Sequence, residues 1–113
     1  IRDSRRHGVL SFHEIIQKSS NVGMVQVAQK LGPETLYAYI RRFGFGRKTG
    51  IDLPGEVAGI LHAPSEWSGS SIAAHAIGYE VAVTPLQMLN AYCAIANGGR
   101  LMRPYVVSEV LGP

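Results

Sequence analysis

Residues 11–32, which read SFHEIIQKSSNVGMVQVAQKLG, predict two consecutive helices joined by a polar turn. Ser11 and Glu14 have the spacing of a capping box, in which each side chain bonds a free backbone N–H group of the first helical turn, so a short helix is predicted over residues 12–18. After the turn, apolar residues recur every three or four positions until Gly32 ends the pattern. The recurring apolar residues are Val22, Val25 and Ala28, with Met24 and Leu31 as further candidates.

A third helix and a loop-rich region are predicted next. Pro33 suits the first position of a helix, apolar residues follow at helical spacing as far as Phe43, and Gly44 can adopt the left-handed conformation that ends a helix. Between residues 44 and 64, glycine, proline and short apolar pairs predict turns with at most one short hairpin. Residues 65–68 and 72–77 are each expected to form no more than a helical turn or two.

The C-terminal third predicts one further helix and one strand. Thr84 and Gln87 form a second capping box with Pro85 at the first helical position. This helix is expected to end at residues 97–99, Asn-Gly-Gly. Residues 105–110 are rich in β-branched side chains and predict a strand whose partner strands lie outside residues 1–113. Together these elements predict an α+β fold that is mostly helical.

Length, composition and cysteine content exclude several classes of protein. The 113 residues, 46% hydrophobic and 17% charged, fit one folded domain or part of one and exclude a disordered chain or two catalytic domains. The net charge of +3 permits an anionic partner without requiring one. Cys93 is the single cysteine, so neither an intrachain disulfide nor a cysteine-based zinc site can form. No two of the four histidines are spaced i, i+4, so neither a metal nor another cofactor is predicted.

No membrane-spanning or targeting segment is expected within the chain. The most apolar stretch, residues 71–96, is interrupted by polar residues, whereas a spanning helix needs about 20 predominantly apolar residues. Residues 1–10 mix arginines with an aspartate and lack the apolar centre of a signal peptide. The chain is therefore expected to be an internal piece of a longer protein.

The tripeptide Ser19-Ser20-Asn21 between the first two helices has two interpretations. It places two hydroxyl groups and one amide on a single turn, which are the groups needed to relay a proton and hold a carbonyl. Serine and asparagine are also the favoured helix N-caps, so the same residues could serve only to begin the second helix. The tripeptide alone leaves both interpretations open.

Two other segments are interpreted as structural. Residues 41–48 alternate basic and aromatic side chains like an RNA-binding strand, but no second aromatic strand accompanies them, so a solvated helix end is predicted and no nucleic-acid partner is expected. Trp67, the single tryptophan, is expected to be partly buried and is assigned no function.

Three blocks of sequence, taken in order, resemble the transpeptidase domain of class B penicillin-binding proteins. The blocks are residues 17–23, residues 43–56 and residues 84–99. The resemblance covers nearly the whole chain and implies the mostly helical lobe of such a domain, with the C-terminal strand joining a larger antiparallel sheet. It implies that residues 1–113 form part of one domain, the remainder of which is a partner of this lobe.

The resemblance also implies an activity and a location. Members of this family are bacterial D,D-transpeptidases, in which a serine attacks the D-Ala-D-Ala end of a peptidoglycan stem peptide and passes the acyl group to a neighbouring amine. β-Lactam antibiotics acylate the same serine. Ser19 and Asn21 match the catalytic Ser-x-Asn motif, in which the serine relays a proton and the asparagine bonds the substrate amide. The enzyme would act at the extracytoplasmic face of the inner membrane, held by an anchor outside residues 1–113.

The chain departs from the complete family pattern. No serine is followed three places later by lysine, so the Ser-x-x-Lys nucleophile motif is absent. Lys48-Thr49-Gly50 aligns with a non-catalytic loop, and the substrate-binding Lys-Ser/Thr-Gly strand is expected after Pro113. Glu80 stands where glycine is more usual. The isolated chain is therefore expected to be inactive.

Two further functional classes remain open. A β-lactam-hydrolysing or β-lactam-sensing relative would share this fold and these motifs. A non-enzymatic helical module would instead bind an anionic partner through its basic residues and would show salt-dependent binding. Those residues are Arg41, Arg42, Arg47 and Lys48.

Overall fold

The structure, a computed structural model, describes residues 1–112 and is mostly helical. The described chain contains five α-helices, one 3-10 turn and two short strands. In chain order the helices are α1 (Phe12–Gln17), α2 (Asn21–Leu31), α3 (Pro33–Arg42), α4 (Ser71–Ala76) and α5 (Pro85–Ala96). The strands are β1 (Ile60–Leu61) and β2 (Val81–Ala82), which pair in a two-stranded sheet, and the 3-10 turn is Pro64–Glu66. The predicted α+β class is confirmed.

The helix ends follow the predicted capping signals. Ser11 and Glu14 bond each other's backbone N–H groups at the start of α1, with distances of 2.8 and 3.3 Å. Thr84 and Gln87 do the same at α5, at 2.9 and 3.1 Å. Each observed boundary lies within about one residue of its prediction, because these caps satisfy the N–H groups that a helix start leaves unpaired.

Within residues 1–112, strand structure is limited to β1 and β2. Residues 44–64 form no hairpin of their own, since β1 pairs instead with β2 beyond α4. Residues 105–110, which are rich in β-branched side chains, form no strand within the described chain, because their partner strands were predicted to lie outside residues 1–113. They are held instead by Asp52, whose carboxylate accepts the backbone N–H groups of Val106 and Val107 at 2.7 and 2.9 Å.

The chain divides into two compact units. The first comprises Ile1–Tyr37 and His62–Val81, and in it α2 packs against both α1 and α4. Ala28 is buried in this unit, and Gly23 lets α1 approach closely, because a Cβ at that position would lie 2.8 Å from Ile15 Cγ1. Small residues on α2 thus permit the packing that positions the turn between α1 and α2.

The second unit comprises residues 38–61 and 82–112 and is organised around α5. Gln87 is 2% exposed, and its Nε2 donates to the carbonyl oxygens of Arg47 and Ala58, both at 2.8 Å. The side chain therefore caps its own helix and also holds two loop segments far away in sequence. Ala91 and Ala94 are buried on the same helix.

None of the helices in residues 1–112 has both the length and the apolar composition required to cross a bilayer.

Candidate functional site

The turn between α1 and α2 holds a serine in an unusual backbone conformation. Ser19 has φ 51°, the only positive φ at a non-glycine residue in the described chain. The N–H of Ser19 donates to Ile16 O at 3.1 Å and the N–H of Ser20 donates to Ile15 O at 3.0 Å. These two bonds form a Schellman motif, whose left-handed position is usually glycine. A side chain at this position costs about 1–2 kcal/mol of backbone strain.

Ser20 is buried and forms the N-cap of α2. Its Oγ accepts the N–H of Gly23 at 3.0 Å and donates to Asp3 Oδ2 at 2.7 Å, and the residue is only 2% exposed. Asp3 Oδ1 also accepts the N–H of Val22 at 3.1 Å. The hydroxyl of Ser20 first, and then the N–H of Val22, hold the pKa of the Asp3 carboxyl below its ordinary value. Ser20 and Asp3 together therefore fix the start of α2.

The two side chains that match the Ser-x-Asn motif lie outside this network. Ser19 and Asn21 are both exposed. Within residues 1–112 neither side chain takes part in a hydrogen bond, so the hydroxyl and the amide are free to bind a ligand. The capping role that the sequence offered for this tripeptide thus falls to the middle serine, and its two neighbours are not used in it. Their geometry provides one hydroxyl donor and acceptor and one amide on a single rigid turn.

Asp3 was not identified from the sequence. It lies 17 residues before its partner Ser20, and no local pattern connects them. An isolated acidic residue ahead of a hydroxyl-rich turn is a signal too common to point to this contact, which depends on how the N-terminal segment folds back on α2.

Lys48-Thr49-Gly50 lies in a closed loop of the other unit. Glu56 accepts the N–H of Thr49 at 2.9 Å and that of Gly50 at 3.0 Å, and it also accepts the hydroxyl of Thr49. These bonds, the hydroxyl first, lower the pKa of the Glu56 carboxyl. The hydroxyl of Thr49 and the N–H groups of Thr49 and Gly50 already donate to Glu56 within the loop. Of the triplet, only Lys48 therefore remains able to bind a substrate carboxylate.

The basic and aromatic segment at the end of α3 is held by local contacts. Arg41 Nη1 donates to the carbonyl oxygen of Gly46 at 2.7 Å, and the guanidinium of Arg42 lies 5.2 Å from the ring centroid of Tyr39. These contacts close the helix end and agree with the prediction of a solvated helix end rather than a nucleic-acid-binding strand.

Trp67 and His75 form a stacked pair in the first unit. Their ring centroids lie 4.1 Å apart with an interplanar angle of 20°, and Trp67 Nε1 donates to His62 O at 2.9 Å. His75 Nδ1 donates to Ser71 O at 2.9 Å, and the buried Nε2 has no hydrogen-bond partner in the described chain. The partial burial predicted for Trp67 is confirmed.

Comparisons with known proteins give a consistent result. The model of the penicillin binding protein transpeptidase domain matches residues 1–112. Stage V sporulation protein D of Bacillus subtilis is 44% identical over 107 residues, which cover 95% of this chain and 17% of that protein. Peptidoglycan D,D-transpeptidase FtsI of Escherichia coli is 34% identical over 113 residues, which cover 100% of this chain and 19% of that protein.

A solved structure agrees with these relatives. Penicillin binding protein 3 of Mycobacterium tuberculosis, complexed with aztreonam, superposes with a TM-score of 0.88 and 41% identity, covering 95% of this chain and 24% of that one. The chain thus spans about a sixth of the length of the curated relatives it matches. Because the family match extends over all the described residues, the chain belongs to the transpeptidase-domain family of penicillin-binding proteins, as its class B motifs predicted.

Proposed function

We propose that this chain is the mostly helical part of a D,D-transpeptidase domain that cross-links peptidoglycan stem peptides through a serine acyl-enzyme. The observation that carries the proposal is the turn at residues 19–21, where a buried serine fixes the backbone and its two neighbours stay exposed. The relatives named as D,D-transpeptidases support the same activity.

The exposed groups have complementary chemical roles in this reaction. A serine outside the chain attacks the carbonyl carbon of the D-Ala-D-Ala amide, and the amide nitrogen must gain a proton as it leaves. The hydroxyl of Ser19 can accept a proton from one neighbour and donate its own to another, so it relays a proton toward the leaving nitrogen. The amide of Asn21 donates to the peptide backbone of the substrate and orients it. A β-lactam ring would be opened by the same steps.

The remainder of the transpeptidase domain is the expected partner of α5. Leu89, Tyr92 and Ile95 lie on one side of this helix and are 61%, 65% and 65% exposed. Apolar surface of this kind is stabilised when another part of a fold covers it. The nucleophile serine and the Lys-Ser/Thr-Gly strand would lie in that covering part, and the enzyme would be held at the extracytoplasmic face of the inner membrane by an anchor outside residues 1–113.

Covalent labelling by a fluorescent penicillin tests this function. The complete protein and the 113-residue chain are labelled side by side and separated on a denaturing gel. Label on the complete protein alone is expected, because the nucleophile is outside the chain. Label on neither would favour a binding relative without catalysis, and label on the chain itself would contradict the motif assignment.

The role of Ser19 is tested in the complete protein. Ser19→Ala removes the hydroxyl at an exposed position and is expected to slow acylation while the protein stays folded. An unchanged acylation rate would contradict the proton-relay role, whereas the matched substitution Ser68→Ala, at an exposed serine outside the motif, should leave the rate unchanged.

A further inference from the structure

The N-terminal segment and the end of α1 form a cleft lined by cationic side chains. Lys18 directly precedes Ser19, so their Cα atoms are about 3.8 Å apart and the cleft adjoins the turn at residues 19–21. We refer to it as the basic cleft. It has a volume of about 510 Å³ and is lined by Ser4, Arg5, Arg6, His7 and Lys18.

The cations of the basic cleft form no salt bridge within the described chain, although Lys18 is close enough to Glu14 to add slightly to the effect of the hydrogen bonds that lower the pKa of that carboxyl. Within residues 1–112 no carboxylate oxygen lies within 4.0 Å of the charged groups of Arg5, Arg6 or Lys18. The two acidic residues of this region are engaged elsewhere, since Asp3 accepts hydrogen bonds at the start of α2 and Glu14 accepts them at the start of α1. The cleft therefore presents an excess of positive charge beside the exposed hydroxyl and amide of the turn.

We propose that the basic cleft binds a carboxylate of the stem peptide, upstream of the bond that is cleaved, an assignment that rests on the proposed function. Each guanidinium group offers a planar fork of N–H donors that matches a carboxylate in two parallel hydrogen bonds. Lys18 adds an ammonium group on a flexible stem, which can follow a ligand of variable length. A peptide held at the turn would thus be positioned by its charge as well as by its backbone.

The lining of the cleft favours an anionic peptide over other anionic partners. Single-stranded nucleic acids are held by several aromatic side chains on which successive bases stack, and His7 is the one aromatic ring in the lining of the cleft. Membrane surfaces are bound by a broad set of apolar side chains inserted beneath a basic rim, whereas the cleft has no aliphatic side chain and the cavity that adjoins it has only Ile1 and Val22. A carboxylate needs only the hydrogen-bond donors and the charge that are present.

The test is a competition experiment on the complete enzyme. Two synthetic stem peptides are compared that are identical except that one side-chain carboxylate is free in the first and a carboxamide in the second. Each peptide is added at increasing concentration, and the concentration that halves the rate of fluorescent-penicillin labelling is measured. The readout requires only binding, so it does not depend on turnover of a soluble peptide.

The free carboxylate is expected to make the peptide roughly fivefold more potent as a competitor, a magnitude suited to charge-assisted bonds at a solvent-accessible site. The double substitution Arg5→Gln/Arg6→Gln should abolish this preference and leave the potency of the carboxamide peptide unchanged. Lys18→Gln should reduce the preference. Lys30→Gln is the matched control, because it removes an exposed cation of the same unit outside the cleft, and it should retain the full preference.

The outcomes separate this assignment from the function on which it rests. Two results would overturn the assignment while leaving the transpeptidase function standing. In the first, the wild type is labelled and the two peptides compete with equal potency. In the second, the double substitution lowers the potency of both peptides by the same factor. Binding of single-stranded DNA that only the cleft variants lose would overturn it in favour of a nucleic-acid surface. If the wild type is not labelled at all, the proposed function fails and the assignment fails with it.

Discussion

Replacing Ser19 by glycine should raise the free energy of unfolding of the protein and slow its acylation by penicillin. At φ 51° Ser19 occupies the left-handed position of the Schellman motif, where a side chain costs about 1–2 kcal/mol relative to glycine. Glycine has greater conformational freedom in the unfolded chain, and this entropy offsets about 0.5–1 kcal/mol of the strain that is relieved. Because the serine side chain is exposed and makes no hydrogen bond in residues 1–112, little packing is lost. The expected net gain in the free energy of unfolding is about 0.5–1 kcal/mol.

The matched variant Ser19→Ala separates the strain from the chemistry. Alanine removes the hydroxyl but retains the Cβ, so it keeps the strain, and its stability should stay within about 0.5 kcal/mol of the wild type. Both variants should lose acylation by penicillin, by about 100-fold if the hydroxyl acts as a proton relay, which is the lower end of the usual range for general acid–base catalysis.

The assays are denaturant unfolding of the transpeptidase domain and the second-order rate constant of penicillin acylation. A glycine variant no more stable than the alanine variant would refute the strain argument. Acylation unchanged in both variants would refute the role of the hydroxyl. A gain in stability combined with a loss of acylation is the expected result, since functional sites retain strained residues at the expense of stability.

Three further predictions concern the residues that support the turn and α5. Ser20→Ala should destabilise the protein by about 1–2 kcal/mol in denaturant unfolding, because α2 loses its N-cap, and acylation should fall as the turn loosens. The folded-state pKa of Asp3 is lowered, so the stability that its anion contributes is fully present above its ordinary pKa of 3.8 and is lost as the pH falls through the lowered value. Melting temperatures measured between pH 2 and pH 6 should therefore fall more steeply with acid in the wild type than in Asp3→Asn, and parallel curves would contradict this coupling. Gln87→Ala should cost about 2–4 kcal/mol in denaturant unfolding, because a cavity forms and two loop carbonyl groups lose their donor, and a cost below about 1 kcal/mol would show that water replaces the side chain.

Helix positions were predictable because their signals are local. The capping boxes at Ser11 and Thr84 each join residues three positions apart, and this interaction forms wherever the segment becomes helical. The strand predicted at residues 105–110 is a different case, because its signal is not local and its predicted partner strands lie outside residues 1–113. Strand formation requires hydrogen bonds to another segment, and β-branched composition does not reveal whether that segment is present.

In the candidate site too, the local signals were predictable and the contacts between distant segments were not. The Ser-Ser-Asn tripeptide and its resemblance to the family motif were visible in the sequence, and they located the residues proposed for catalysis at Ser19 and Asn21. The sequence could not tell which serine caps α2, because both are suitable N-caps. That distinction follows from the Schellman turn, which points Ser20 inward to Asp3 and leaves Ser19 strained and exposed.

The sequence alone therefore determined the family, the helical elements and the position of the motif, all of which depend on residues a few places apart or on blocks kept in order. The tertiary structure decided which polar side chains form internal hydrogen bonds and which remain exposed without them. Ser20 meets Asp3 across 17 residues and Gln87 meets Arg47 across 40. Contacts between residues so far apart in sequence form because the packing of the helices buries polar groups that must then find hydrogen-bond partners. The spacing of residue types along the chain does not reveal which distant partner each group will meet.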